Sequence, residues 1–136
     1  MRFIVMAMAP KESEPAPPPK PEGFAAMQQY NEAAVKAGVL LAAEGLSASS
    51  TRVTFSGDER IVTDGPYAEA KEVVAGFTII KVKSLEEAIE WVKRAPNVSP
   101  NGKGEVEIRK LMDIEDFVEM LGDEFTPNAE IAKVKY

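Results

Sequence analysis

The sequence predicts an α+β fold, a ferredoxin-like split β-α-β plait whose antiparallel sheet carries helices on one face. Three observations predict it. The chain opens on a run apolar on both faces, residues 2–8 (RFIVMAM), which reads as a central strand. A second long strand pattern, 73–82 (VVAGFTIIKV), lies between two stretches of helical spacing. The elements follow the order β-α-β, an inserted hairpin strand, then β-α-β, which is the order of that plait.

Each element has its own signal. In the first strand Phe3, Val5 and Ala7 share one face, and Ile4, Met6 and Met8 the other. Residues 9–21 (APKESEPAPPPKP) hold six of the ten prolines. Proline removes amide donors and fixes φ, so this stretch reads as an extended loop or mobile linker, or as a polyproline ligand for a partner. A helix follows over 22–37, with Phe24, Met27, Tyr30, Ala34 and Ala37 on one stripe and Gly38 after it. VLLAA (39–43) is a short apolar strand. TRVTF (51–55) and RIVT (60–63) flank Ser56-Gly57-Asp58-Glu59, a β-hairpin pattern. Gly76, inside the second long strand, predicts a bulge or the close approach of another backbone. Ser84 and Glu87 form a capping box for a helix running to about Ala95, with Leu85, Ala88, Ile89 and Val92 inward. GEVEIRKLM (104–112) places Val106 and Ile108 on one face and Glu105, Glu107 and Arg109 on the other. Asp113 caps a last helix bearing Ile114, Phe117, Val118 and Leu121, closed by Gly122. Residues 1–126 read as a single domain and 127–136 as a C-terminal tail.

Composition removes several function classes. The chain has 136 residues, of which 45% are hydrophobic, enough for one core. Twenty-two acidic residues against 16 basic ones give a net charge of −6, which argues against a nucleic-acid-binding face. Cys and His are absent. That excludes disulfides, thiolate or imidazole metal sites, thiol nucleophiles and His-bearing triads. No acidic spacing resembles a calcium loop, and neither metal nor cofactor is expected. The apolar opening is too short to span a bilayer and precedes no small-residue cleavage site, so a cytoplasmic location is expected, with no membrane partner.

The sharpest local feature is TDGPYAEAKE (63–72). Asp64-Gly65-Pro66 is first a turn: Asp bonds backbone amides, Gly tolerates positive φ and Pro presets the bend. The plain reading is a turn with a solvated charged rim. The functional reading has Asp64, Lys71 and Glu72 converging on a pocket walled by Tyr67, to bind a polar ligand or move protons. Glu44, after an apolar run, is either a satisfied strand-end carboxylate or a pocket carboxylate with a raised pKa. Arg52 and Arg109 are strand-surface charges or anion contacts. Trp91 lies beside its helix's apolar stripe, where packing outweighs ligand stacking.

These motifs together resemble the DGPF-type branch of the YCII-related proteins. TDGPYAEAKE followed by VVAGF resembles its signature, KAGVLL (36–41) and EGL (44–46) the run after its first helix, SLEEAIEW (84–91) its second helix, and VEIR (106–109) its last strand. Tyr67 stands where Phe is usual, Ala70 where Thr is common and Ala95 where Cys is frequent. The resemblance implies a homodimer, two plaits packed sheet to sheet as a dimeric α+β barrel. It implies no established activity. Relatives that resemble His–Asp enzymes use a pair that this chain lacks. Some members are associated with alternative sigma factors, which implies a transcription-related partner.

Three functions follow as alternatives. The first is a small-molecule-binding or regulatory dimer with a pocket near Glu44 and Asp64. The second is an enzyme, lyase- or isomerase-like, in which Asp64 and Glu44 do carboxylate acid–base chemistry and Arg52, Tyr67, Lys71 and Glu72 bind the ligand. The third is an accessory protein of transcription.

Overall fold

The computed structural model describes residues 1–10, 20–65, 72–99 and 102–134. Its elements are β1 (Arg2–Pro10), α1 (Pro21–Lys36), β2 (Leu40–Gly45), β3 (Thr51–Ser56), β4 (Glu59–Asp64), β5 (Glu72–Lys81), α2 (Leu85–Lys93), β6 (Glu105–Lys110) and α3 (Ile114–Leu121). Four strands make one antiparallel sheet in the order β2-β5-β1-β6. This is the split β-α-β plait, with β1 and β5 at its centre. β3 and β4 pair with each other in a separate two-stranded ribbon, turned at Gly57 (φ 56°).

The core lies on one face of the sheet. Phe3, Val39, Ile80, Val82 and Ala88 are buried together, with Val5, Leu40, Trp91 and Ile108 packed against them. Register explains the grouping: Phe3 pairs with Ile80 and Val5 with Ile108, and directly opposed residues point to the same face. Ala88 is 0% exposed, so the small side chain lets α2 approach closely. Tyr30 of α1 donates its hydroxyl to the Trp91 carbonyl at 2.7 Å, and the two rings meet edge-on at 6.4 Å. The Arg94 guanidinium sits 4.6 Å over the Trp91 ring. Burial raises the Tyr30 phenol above its usual pKa, and Arg94 opposes that shift.

Gly76 does both things expected of it. The β1–β5 register shifts there, Ala7 facing Gly76 but Met8 facing Val74, so that one residue bulges. A Cβ at position 76 would lie 2.9 Å from the Glu44 carbonyl oxygen. At α3, Asp116 N donates to Asp113 Oδ1 at 3.0 Å and Asp113 N donates to Asp116 Oδ2 at 2.9 Å, a reciprocal cap. Lys110 Nζ meets Asp116 Oδ2 at 2.8 Å and ties α3 to the end of β6.

Three expectations need correction. β1 runs through Ala9 and Pro10, which pair with Val73 and Glu72, because a proline is tolerated where a ladder ends. Likewise Pro21 opens α1, where a missing amide hydrogen costs nothing; residues 11–19 between them lie outside the described residues. In α1 the stripe turns by one residue: Phe24 is 58% exposed, while Gly23, Ala26, Met27, Tyr30 and Ala34 face in. In α2 Leu85 is 45% exposed, since it sits in the first turn, ahead of the Ala88 contact.

Candidate functional site

Helices α1 and α2 cover one face of the sheet, and the opposite face has its own order. Register places its residues in rows across β2, β5, β1 and β6. Arg2 lies beside Lys81. Next come Ala42, Ile79, Ile4 and Arg109, then Glu44, Phe77, Met6 and Glu107. Val74, Met8 and Glu105 form the following row, with Glu72 beyond it opposite Pro10. The centre is therefore apolar, one end basic and the other acidic. Ile79 is only 3% exposed, while Ile4, Met6, Met8 and Phe77 are half-buried. Strands lie about 4.8 Å apart, so Glu44 and Glu107 flank a floor roughly 14 Å wide.

Glu44 reaches this face through an irregularity. The register with β5 shifts between Leu40 and Ala42, so Leu40 points to the core while Ala42 and Glu44 point the other way. On this face Glu44 has Ala42 beside it along β2 and Phe77 opposite it on β5.

The other candidates are dispersed. Asp64 ends β4 in the ribbon, opposite Thr51, whose hydroxyl donates to Asp64 Oδ1 at 3.4 Å. The ribbon closes there through Gly65 N, which donates to the Ser50 carbonyl at 2.9 Å. Arg52 is opposed to Thr63, on the other face of the ribbon from Asp64. Glu72 begins β5 and is exposed. Tyr67 and Lys71 lie outside the described residues. Among the described residues no hydrogen bond or ion pair joins Glu44 to Asp64 or Glu72.

Sequence reasoning passed over the rim formed by Glu107, Arg2 and Lys81. Alternation in 104–112 carried the signal for Glu107, which shares a face with Arg109. A cleft of about 570 Å³ opens at the basic end, between Arg2, α3 and the tail, with Ile114, Phe117, Phe125 and Ile131 in its walls. The rings of Phe117 and Phe125 stack at 5.7 Å. No described helix is long and apolar enough to cross a membrane.

The model of the YCII-related domain matches residues 1–115, from β1 through β6 to the first turn of α3. An uncharacterized protein of Rhizobium meliloti (strain 1021) is 37% identical over 87 residues, 64% of this chain and 68% of that protein. With the plait order in place and the match spanning every strand of the sheet, the chain belongs to the YCII-related family.

Proposed function

We propose that this chain is a homodimeric small-molecule-binding module of the DGPF-type branch, with its ligand site on the open face of the sheet. The observation that supports it is the apolar floor of Ile4, Met6, Phe77 and Ile79, bordered by ionisable groups only at its edges, Glu44, Glu107 and Arg109. A sheet packed on one side has to cover its second apolar face, and a two-layer fold of this size does so most economically with another copy. Apolar walls with a few charged groups at the margin are also the usual make-up of ligand sites. In this reading Glu44, at the β2 edge opposite Phe77, is the carboxylate that meets the ligand. The Asp64-Gly65-Pro66-Tyr67 motif supports the branch assignment.

Native mass spectrometry of the parent protein with a metabolite library tests this reading. The expected result is a dimer that retains a small molecule, whose affinity falls about tenfold to a hundredfold in Glu44→Gln or in Asp64→Asn. That range corresponds to losing a charge-assisted hydrogen bond of about 1.5–3 kcal/mol. A parent that binds nothing from the library, or variants that bind every retained molecule as the parent does, would overturn it. Chemical conversion of the bound molecule, abolished in Glu44→Gln, would make the site catalytic.

A further inference from the structure

The cleft between Arg2, α3 and the tail is built largely by the chain beyond the family match. Phe117, Phe125, Ile131 and Val134 line it, and all of them follow residue 115. Local chemistry shapes these walls. Gly122, at φ 66°, lets the chain turn out of α3. The stack of Phe125 on Phe117 then ties the tail to the helix. Farther on, Asn128 Oδ1 accepts from Glu130 N at 2.8 Å and from Ile131 N at 3.2 Å, a local turn that starts the helical turn Ile131–Lys133. The result is a cleft of about 570 Å³, within the roughly 300–1,000 Å³ of ordinary small-molecule sites.

The polar groups of the cleft are unevenly satisfied. Asp113 is occupied: its Oδ1 accepts from Asp116 N at 3.0 Å, and its Oδ2 lies 3.8 Å from Lys110 Nζ. Glu115 is exposed on the first turn of α3, where water and the helix N-terminus satisfy a carboxylate. Arg2 differs from both. It is half-buried, and its guanidinium makes no hydrogen bond or ion pair among the described residues. The Asn128 side-chain nitrogen is a further donor with no acceptor among them. A cation partly withdrawn from water with no counterion favours an anion beside it. One negative charge balances Arg2, whereas a dianion would meet Asp113 and Glu115 as well.

We infer that this cleft is a second small-molecule site, separate from the open sheet face, which takes an amphipathic monocarboxylate: an aliphatic or arylalkyl acid whose chain lies among Ile114, Phe117, Phe125 and Ile131 and whose carboxylate meets Arg2. The planar guanidinium fork matches the two oxygens of a carboxylate. The apolar body of such an acid covers side chains that the single chain leaves to water, Ile114 and Ile131 above all.

Titration of the isotope-labelled parent protein with decanoate tests it. Chemical shifts should move at Phe117, Phe125 and Ile131 and stay in place at Ile4, Met6 and Phe77. Decanol keeps the chain and lacks the charge. It should bind at least about tenfold more weakly than decanoate, and Arg2→Gln should weaken decanoate by a similar factor, as loss of a charge-assisted hydrogen bond does. Arg2→Lys should retain most of the affinity. Position 2 is the first residue of β1, and an unchanged melting temperature shows that the substitutions keep the fold; the decanol comparison uses the parent alone. Decanol binding as tightly as decanoate, or Arg2→Gln binding decanoate as the parent does, would leave only apolar adsorption and overturn the inference. So would a parent that binds no decanoate below its micelle-forming concentration. Shifts confined to Ile4, Met6 and Phe77 would overturn it while leaving the open-face site standing.

Discussion

At the scale of single residues, Gly76 and Glu44 show what was legible and what was not. A glycine inside a strand has few physical reasons to be there, and close backbone approach is one of them. The structure supplies that approach, with the Glu44 carbonyl 2.9 Å and Gly45 Cα 3.4 Å from where a Cβ would sit. Gly76→Ala should therefore push β2 away from β5 and cost about 1–3 kcal/mol, as overpacking does. Urea titration reads this directly, and a loss below about 0.5 kcal/mol would mean that the edge strand moves without resistance. Glu44 was harder to place. Its facing depends on the shift at Leu41, which reverses the alternation midway through β2; nothing in VLLAAEG marks where that extra residue falls. Asp64 was legible as a turn residue, but its distance from Glu44 depends on how the ribbon leaves the sheet, which local sequence does not encode.

Helical elements were read correctly in kind and less well in facing. Periodicity marks a stripe, but which of two adjacent residues meets the sheet depends on where the helix overlaps it. Phe24 and Leu85 both lie in first turns and both are exposed. α3 is a clearer case, because its cap is chemical: Asp113, Asp116 and Lys110 converge on its first turn. The hydrogen bond from Lys110, then that from the Asp113 backbone, holds the Asp116 carboxyl below the usual carboxylate range. The same bond to Asp116 raises the Lys110 ammonium above its usual value. A lowered acid stabilises the folded state above its unfolded pKa, and that stabilisation is lost as pH falls through the folded one. A raised amine acts in the opposite sense, its contribution being lost only as alkali takes pH through the folded value. The docking of α3 should therefore hold across neutral pH and loosen at both extremes. Hydrogen exchange of α3 amides against pH should show this, and Asp116→Asn should remove the acid limb; an unchanged acid limb would assign the loosening elsewhere.

At the scale of the whole molecule, the plait was legible because element order alone fixes it. The separation of the β3–β4 ribbon from the sheet was not, because its own strand pattern is that of any hairpin. In the single chain the ribbon exposes Phe55 (71%) and Val62 (65%) and shares no ladder with the sheet. A two-stranded ribbon is marginal by itself. Stability is therefore uneven, and hydrogen exchange should rank the molecule accordingly: amides of β1 and β5 slowest, those of β3 and β4 fastest. Ribbon amides as protected as those of β1 would show that one cooperative unit holds them all.

The position of β1 also has a consequence in time. β1 is made first, yet Phe3 takes its partners from Ile80 and Lys110, near the far end of the sheet's sequence. As the chain leaves the ribosome, a strand apolar on both faces waits unpaired until β5 has been made, and its second edge waits for β6. The sheet closes through contacts distant in sequence, and such topologies fold slowly. Interrupted translation would leave fragments carrying the most apolar strand with nothing to hold it, the species most prone to aggregate.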